Sequence, residues 1–175
     1  MALRAYEEHY TVDDYNRWEG DWELIWGRPY AISPFALPAH QKISLKIARQ
    51  LDEALDECPK CHALMETEVA FSEDTVVRPD AMVVCYPLKE RLTRRPELVF
   101  EVVSKQSARR DEHLKFGLYE SEGIPYYILV YPDLRKAKVY KLTEGRYQKV
   151  GDFTEGHYRF ELPCPIEFDF GFVFR

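Results

Sequence analysis

The sequence predicts an α/β (α+β) fold: a mixed central β-sheet flanked by helices, with an N-terminal hairpin, in a single domain over residues 1–175. Three observations carry that expectation. Residues 97–103, ELVFEVV, are apolar on both faces except at Glu101, as a fully buried central strand requires. From about Ala39 to Glu57, Ile43, Ile47, Leu51 and Leu55 recur every four residues. Lys42, Lys46, Arg49, Asp52, Glu53 and Asp56 occupy the other side, which marks an amphipathic helix. A chain of 175 residues with 46% hydrophobic and 31% charged content suits one buried core under a solvated surface.

Taken in order, TVDDYNRWE (11–19) reads as a short helix capped by Thr11, with Asp13 and Asp14 at its positive end. DWELIWGRPYAIS reads as a hairpin turning around Gly27, Arg28 and Pro29, with Glu23 on the face opposite Trp22 and Leu24. SPFALP (33–38) is a loop, because its two prolines exclude helix. His40 falls near the start of the long helix, beside the Ile43–Ile47 stripe. Residues 62–71 and 76–86 read as two strands joined by the SEDT turn, followed by a polar loop and the 97–103 strand. Residues 107–122 form a helix that Ser107 can cap, with Leu114, Leu118 and Tyr119 along one side and Gly123 ending it. IPYYILVY (124–131) is a strand, a further strand lies near 136–142, and GRYQKV and HYRFEL are edge strands. The final IEFDFGFVFR alternates and should pack as a strand against the body.

Net charge is −6, so binding nucleic acid needs a local basic patch or a bridging metal ion. Residues 89–115 hold eight Lys/Arg against five Asp/Glu, a local excess of +3. That run reads either as a solvated face or as a basic rim around an acidic pocket. The start, MALRAYEEHYTVDDY, lacks the apolar stretch of a secretory signal, and no run reaches the length of a membrane span. The expectation is a cytoplasmic protein whose four cysteines are reduced. Cys58-Pro-Lys-Cys61-His62 matches a haem-attachment pattern and half of a zinc site. With Cys85 and Cys164 standing singly, the favoured reading is a helix-ending turn.

The chemistry concentrates between Arg78 and Tyr127. Asp80 follows Pro79 at the head of one apolar run, and Glu101 lies inside the next. Carboxylates within buried strands are costly unless paired or bound to a metal. If the two strands are neighbours, both acids can converge on one cation, and their hard oxygens suit Mg²⁺ or Mn²⁺. Lys115 follows on the next helix, four residues after Asp111 and on the side facing Leu118 and Tyr119. Each residue also has a plain structural reading: Asp80 as a turn residue, Glu101 in a cross-sheet pair, Asp111–Lys115 as a surface pair.

As a set, WELIWGRPYAISP, AHQKI, RPDAMVV, PELVFEVVS and RDEHLKFGLYESEGIPYYILVYP resemble the Uma-two family of restriction endonucleases, within the PD-(D/E)XK nuclease superfamily. In that branch the lysine is displaced from two residues after the strand acid, here Val103, to the following helix. The resemblance implies Asp80, Glu101 and Lys115 as catalytic residues, Asp80 and Glu101 as metal ligands, and Glu23 and His40 as pocket members. It implies a restriction-endonuclease-like core, Mg²⁺ or Mn²⁺ as cofactor, phosphodiester hydrolysis with DNA as substrate, and often a homodimer. The sequence differs from the family at Trp26, Lys105 and Tyr131, where an acid, a proline and an acid are common. Two other readings compete: a non-catalytic nucleic-acid or protein-binding module retaining the fold, and a hydrolase of a smaller phosphate ester.

Overall fold

Twelve strands and four α-helices build the described part of the chain, residues 8–33 and 37–175 of a computed structural model. Part of the loop expected over 33–38, residues 34–36, lies outside the described residues, as do residues 1–7. The chain divides into two compact units. The first draws on Met1–Phe35, Glu68–Arg78 and Leu88–Arg94, and the second on Ala36–Thr67, Pro79–Pro87 and Arg95–Arg175.

The first unit opens with helix α1 (Val12–Tyr15), shorter than expected but capped as predicted. Thr11 accepts the Asp14 N–H and the Asp14 carboxylate accepts the Thr11 N–H, a reciprocal capping box. Strands β1 (Trp22–Ile25) and β2 (Arg28–Ala31) form the expected hairpin. Its turn is Trp26-Gly27, one residue earlier than expected, with positive φ at both positions (50° and 80°). A two-residue turn of that kind matches the twist of the flanking strands, so Arg28 and Pro29 enter β2 instead of the loop. Strands β4 (Val69–Ser72) and β5 (Thr75–Val77) complete a four-stranded sheet in the order β2-β1-β5-β4.

The second unit is organised on a six-stranded sheet, β10-β9-β8-β7-β6-β3. Its strands are β3 (His62–Met65), β6 (Ala81–Val84), β7 (Leu98–Val102), β8 (Tyr126–Tyr131), β9 (Lys136–Thr143) and β10 (Arg146–Phe153). Only β7 and β8 run parallel, as the helical crossover between them demands. Helix α2 (Pro38–Ala54) buries the predicted Ile43, Ile47 and Leu51 in a core with Leu98, Phe100 and Val102 of β7 and Ile128 and Val130 of β8. A two-stranded sheet, β11 (His157–Phe160) and β12 (Ile166–Asp169), adds Phe160 and Phe168 to that core.

Each of the two strands expected at 62–71 and 76–86 is instead broken in two, and its halves join different sheets. The first break falls at Glu66, which takes a positive φ of 44°. The second falls at Pro79, which has no N–H to continue a ladder. The helix expected at 107–122 is also composite. A π-helical turn, Arg110–Leu114, precedes α3 (Lys115–Ser121). Ser107 does not cap it: its hydroxyl accepts the Ser104 N–H at 2.9 Å. Gly123 (φ 74°) does end it, in a Schellman arrangement with Gly123 N–H on Glu120 O and Ile124 N–H on Tyr119 O. The last segment also departs from expectation. After β12, the Asp169 carboxylate accepts the Gly171 and Phe172 N–H groups and starts α4 (Phe170–Val173), so alternation gives way to a capped helical turn.

The expectation of four reduced cysteines is contradicted as well. Cys58 is bonded to Cys164 and Cys61 to Cys85, and no cysteine is free. The register explains the second pair. His62 opposes Val84 in the β3–β6 ladder, so Cys61 and Cys85 occupy the next cross-strand position. No helix among the described residues is long and apolar enough to cross a membrane.

Candidate active site

Strand β7 is buried along its whole length, and alternation sends Leu98, Phe100 and Val102 into the core under α2. Glu101 therefore projects to the opposite face, towards the helix that follows. Ala81 opposes Phe100 in the antiparallel β6–β7 pair, which places Asp80 and Glu101 directly across from one another at the next position. Side chains at facing positions start about 4.5–5.5 Å apart at Cβ.

Two reciprocal contacts lock the pair. The Asp80 N–H donates to Glu101 Oε1 (3.1 Å), and the Val102 N–H donates to Asp80 Oδ2 (2.7 Å). Pro79 and the end of β5 leave the Asp80 amide without a ladder partner, so the carboxylate supplies the acceptor that a strand would have supplied. Glu101 Oε2 receives two further donors, Lys115 Nζ at 2.6 Å and the Tyr119 hydroxyl at 3.0 Å. The Lys115 and Glu101 side chains are only 4% and 3% exposed, which makes this a buried ion pair of the kind that is costly to break from one side. Asp80 is more open, at 20%.

Lys115 reaches Glu101 because of the helix that carries it. The π-helical turn ends at Leu114, and Lys115, Leu118 and Tyr119 are its buried side. The Tyr127 hydroxyl from β8 donates to the Asp111 carbonyl (2.7 Å) and ties this turn to the sheet. Edge-on packing of Tyr119 on Tyr127, with centroids 5.0 Å apart, sets the depth of the helix. Asp111, read from sequence as a surface partner of Lys115, is itself buried.

His40 approaches from the first turn of α2, with Nε2 3.4 Å from Asp80 Oδ1. Its pKa is raised, first by that interaction with Asp80, against an opposing effect of burial. His40 Nδ1 is buried with no hydrogen-bond partner among the described residues. Four of the five residues expected at the site, His40, Asp80, Glu101 and Lys115, are thus drawn into one cluster. Glu23 belongs to the first unit, where it is buried and its Oε2 accepts the Arg78 N–H at 2.8 Å. Tyr119 was read from sequence only as a lining residue, although it lies one turn beyond Lys115 and so must share its direction.

Several of the basic residues of 89–115 are tied up locally. Arg91 contacts Asn16 Oδ1 (2.7 Å) and approaches Glu68, Arg95 meets Glu97, and Lys115 is inside. For Arg91 and Arg95 this favours the solvated-face reading of the charge run.

Two outcomes follow from this geometry. Tyr119→Phe removes a hydrogen bond to a buried charge without emptying the site. It should cost about 1.5–3 kcal/mol, read as a lower urea midpoint at unchanged slope. In NMR titrations without added metal, His40 should stay protonated above the ordinary imidazole range, and Asp80→Asn should bring it down. A raised pKa means that its contribution to stability is fully present below the unfolded pKa. It is lost as pH rises through the folded value.

The donor set fits a divalent cation: two facing carboxylates, hard oxygens, one of them accessible, with a cationic side chain behind the buried one. An arrangement of this kind can hold a cation, balance the charge of an anionic ester and position a water. A family model, Uma2, described as "Putative restriction endonuclease", matches residues 12–166. Among solved structures, a "putative nuclease belonging to DUF820" from Anabaena variabilis superposes with a TM-score of 0.77. The alignment covers 94% of this chain and 97% of that one at 16% identity, a likeness that carries the fold alone. No curated protein matches the chain.

Proposed function

Because the chain belongs to the Uma2 restriction-endonuclease family, we propose that it is a metal-dependent endonuclease hydrolysing phosphodiester bonds in DNA. The observation that carries this reading is the facing Asp80–Glu101 pair with Lys115 Nζ held 2.6 Å from Glu101. Asp80 and Glu101 would hold Mg²⁺ or Mn²⁺. When bound, such a cation polarises a phosphate oxygen and lowers the pKa of water beside it.

The chain's own residues supply the rest. Lys115 neutralises one of two facing negative charges, so that an anionic phosphate can approach. Its ammonium would orient a water or offset charge developing on the phosphate. Tyr119 and the Asp80 N–H fix the Glu101 carboxylate, and the Val102 N–H fixes that of Asp80, so neither acid must reorganise during the reaction. His40 holds the more exposed acid from its other oxygen.

The test is incubation with supercoiled plasmid, single-stranded DNA, RNA and a small phosphodiester, with Mg²⁺ or Mn²⁺ and with EDTA. The reading predicts metal-dependent nicking or linearisation of DNA that EDTA abolishes. Cleavage confined to RNA or to the small ester would reassign the substrate. Failure to cut any of them, with a cation bound, would support the binding-module reading.

A further inference from the structure

The four cysteines lie outside the proposed active site, and the nuclease reading makes no use of them. They come from three separate places in the second unit: Cys58 and Cys61 just after α2, Cys85 just after β6, and Cys164 just before β12. The C-x-x-C segment closes on itself, with the Cys61 N–H donating to the Cys58 carbonyl. That is a tight turn presenting two sulfurs together. The β3–β6 register brings Cys85 opposite Cys61. Cys164 closes on Cys58 across 106 residues of sequence, with Cα atoms 6.3 Å apart.

The decisive feature is how close the two pairs are to each other. The sulfurs of Cys58, Cys61 and Cys164 all lie within 4.8 Å of one another; Cys85 stands outside that trio and joins it through its bond to Cys61. Two independent cross-links have no need to touch. Four thiolates around one tetrahedral ion do: with Zn–S bonds of about 2.3 Å, their sulfurs sit roughly 3.8 Å apart. Cys58 and Cys61 are buried, and Cys85 and Cys164 pack against the same core, so the cluster is closed as a structural metal site is.

We propose that the reduced protein binds one Zn²⁺ through Cys58, Cys61, Cys85 and Cys164, and that the two disulfides are the oxidised, metal-free form of this centre. Opening both disulfides takes four electrons and four protons. Two equivalents of a dithiol reductant supply them, each closing to its own disulfide. Zn²⁺ then forms four Zn–S bonds and displaces the four thiol protons. The centre joins the end of α2 to the β3–β6 edge and to the segment entering β12. Its chemistry is soft, whereas the Asp80–Glu101 pair is hard, so the two sites select different metals.

The experiment purifies the full chain with a dithiol reductant, counts its thiols after denaturation and measures its metal by plasma mass spectrometry. Expected are four thiols and about one zinc per chain, with zinc unchanged in Asp80→Asn and lost in Cys58→Ser and Cys164→Ser. Should those cysteine variants fail to fold, Co²⁺ replacement in the wild type reads the same centre. Thiolate-to-cobalt charge-transfer bands and intense tetrahedral d–d bands are expected. A wild-type chain with four free thiols, no zinc and no such cobalt bands would overturn the proposal. So would full zinc occupancy in both folded cysteine variants.

Discussion

Lys115→Met should reduce DNA cleavage by at least about 10³-fold, or roughly 4 kcal/mol in the barrier, and should also destabilise the protein. Both effects have one origin. Lys115 and Glu101 are almost wholly shielded from water, and their charged atoms stand 2.6 Å apart. With methionine, the chain length persists but the carboxylate keeps only the Tyr119 hydroxyl and the Asp80 N–H among the contacts described above. Removing one partner of a buried pair costs on the order of 3–5 kcal/mol, because the other charge is left behind. Pairing Lys115→Met with Glu101→Gln removes that stranded charge. The double variant should therefore recover part of the lost stability while recovering no cleavage. Urea denaturation and plasmid assays on the three variants separate the two effects.

Asp80→Asn should behave differently, with cleavage lost by a similar factor and, above the pH at which His40 loses its proton, stability little changed. The asparagine carbonyl can still accept the Val102 N–H, and a side chain 20% exposed is not an unpaired interior charge. What disappears is the negative ligand, and with it most of the affinity for a hard divalent cation. Raising Mn²⁺ concentration should restore some activity to Asp80→Asn and none to Lys115→Met. Melting temperatures and metal-dependence curves for the two variants check this contrast.

The heart of the site was readable because it depends on short-range pattern. An acid inside an all-apolar strand must project away from the core, and Lys115 and Tyr119 sit one helical turn apart. The displaced lysine was supplied by family resemblance, since spacing alone does not distinguish a helix lysine that reaches a strand from one in solvent. Features set by tertiary contacts were not readable. The π-helical turn is secured in part by the Tyr127 hydroxyl on the Asp111 carbonyl, a partner sixteen residues away. The cysteine cluster depends on the β3–β6 register and on the path into β12, so Cys85 and Cys164 look solitary along the chain. The break at Pro79 has a local signal: a proline inside an apolar run marks the point where the Asp80 N–H turns from the ladder to Glu101.

Asp80 and Glu101 are proposed to hold one hard cation together. Manganese binding to the wild type and to Asp80→Asn/Glu101→Gln, followed by electron paramagnetic resonance, measures this. The wild type should bind one Mn²⁺ per chain, and the double variant, folded by circular dichroism, should bind none at the same concentration. Equal Mn²⁺ binding by the two proteins would mean that these acids do not hold the cation.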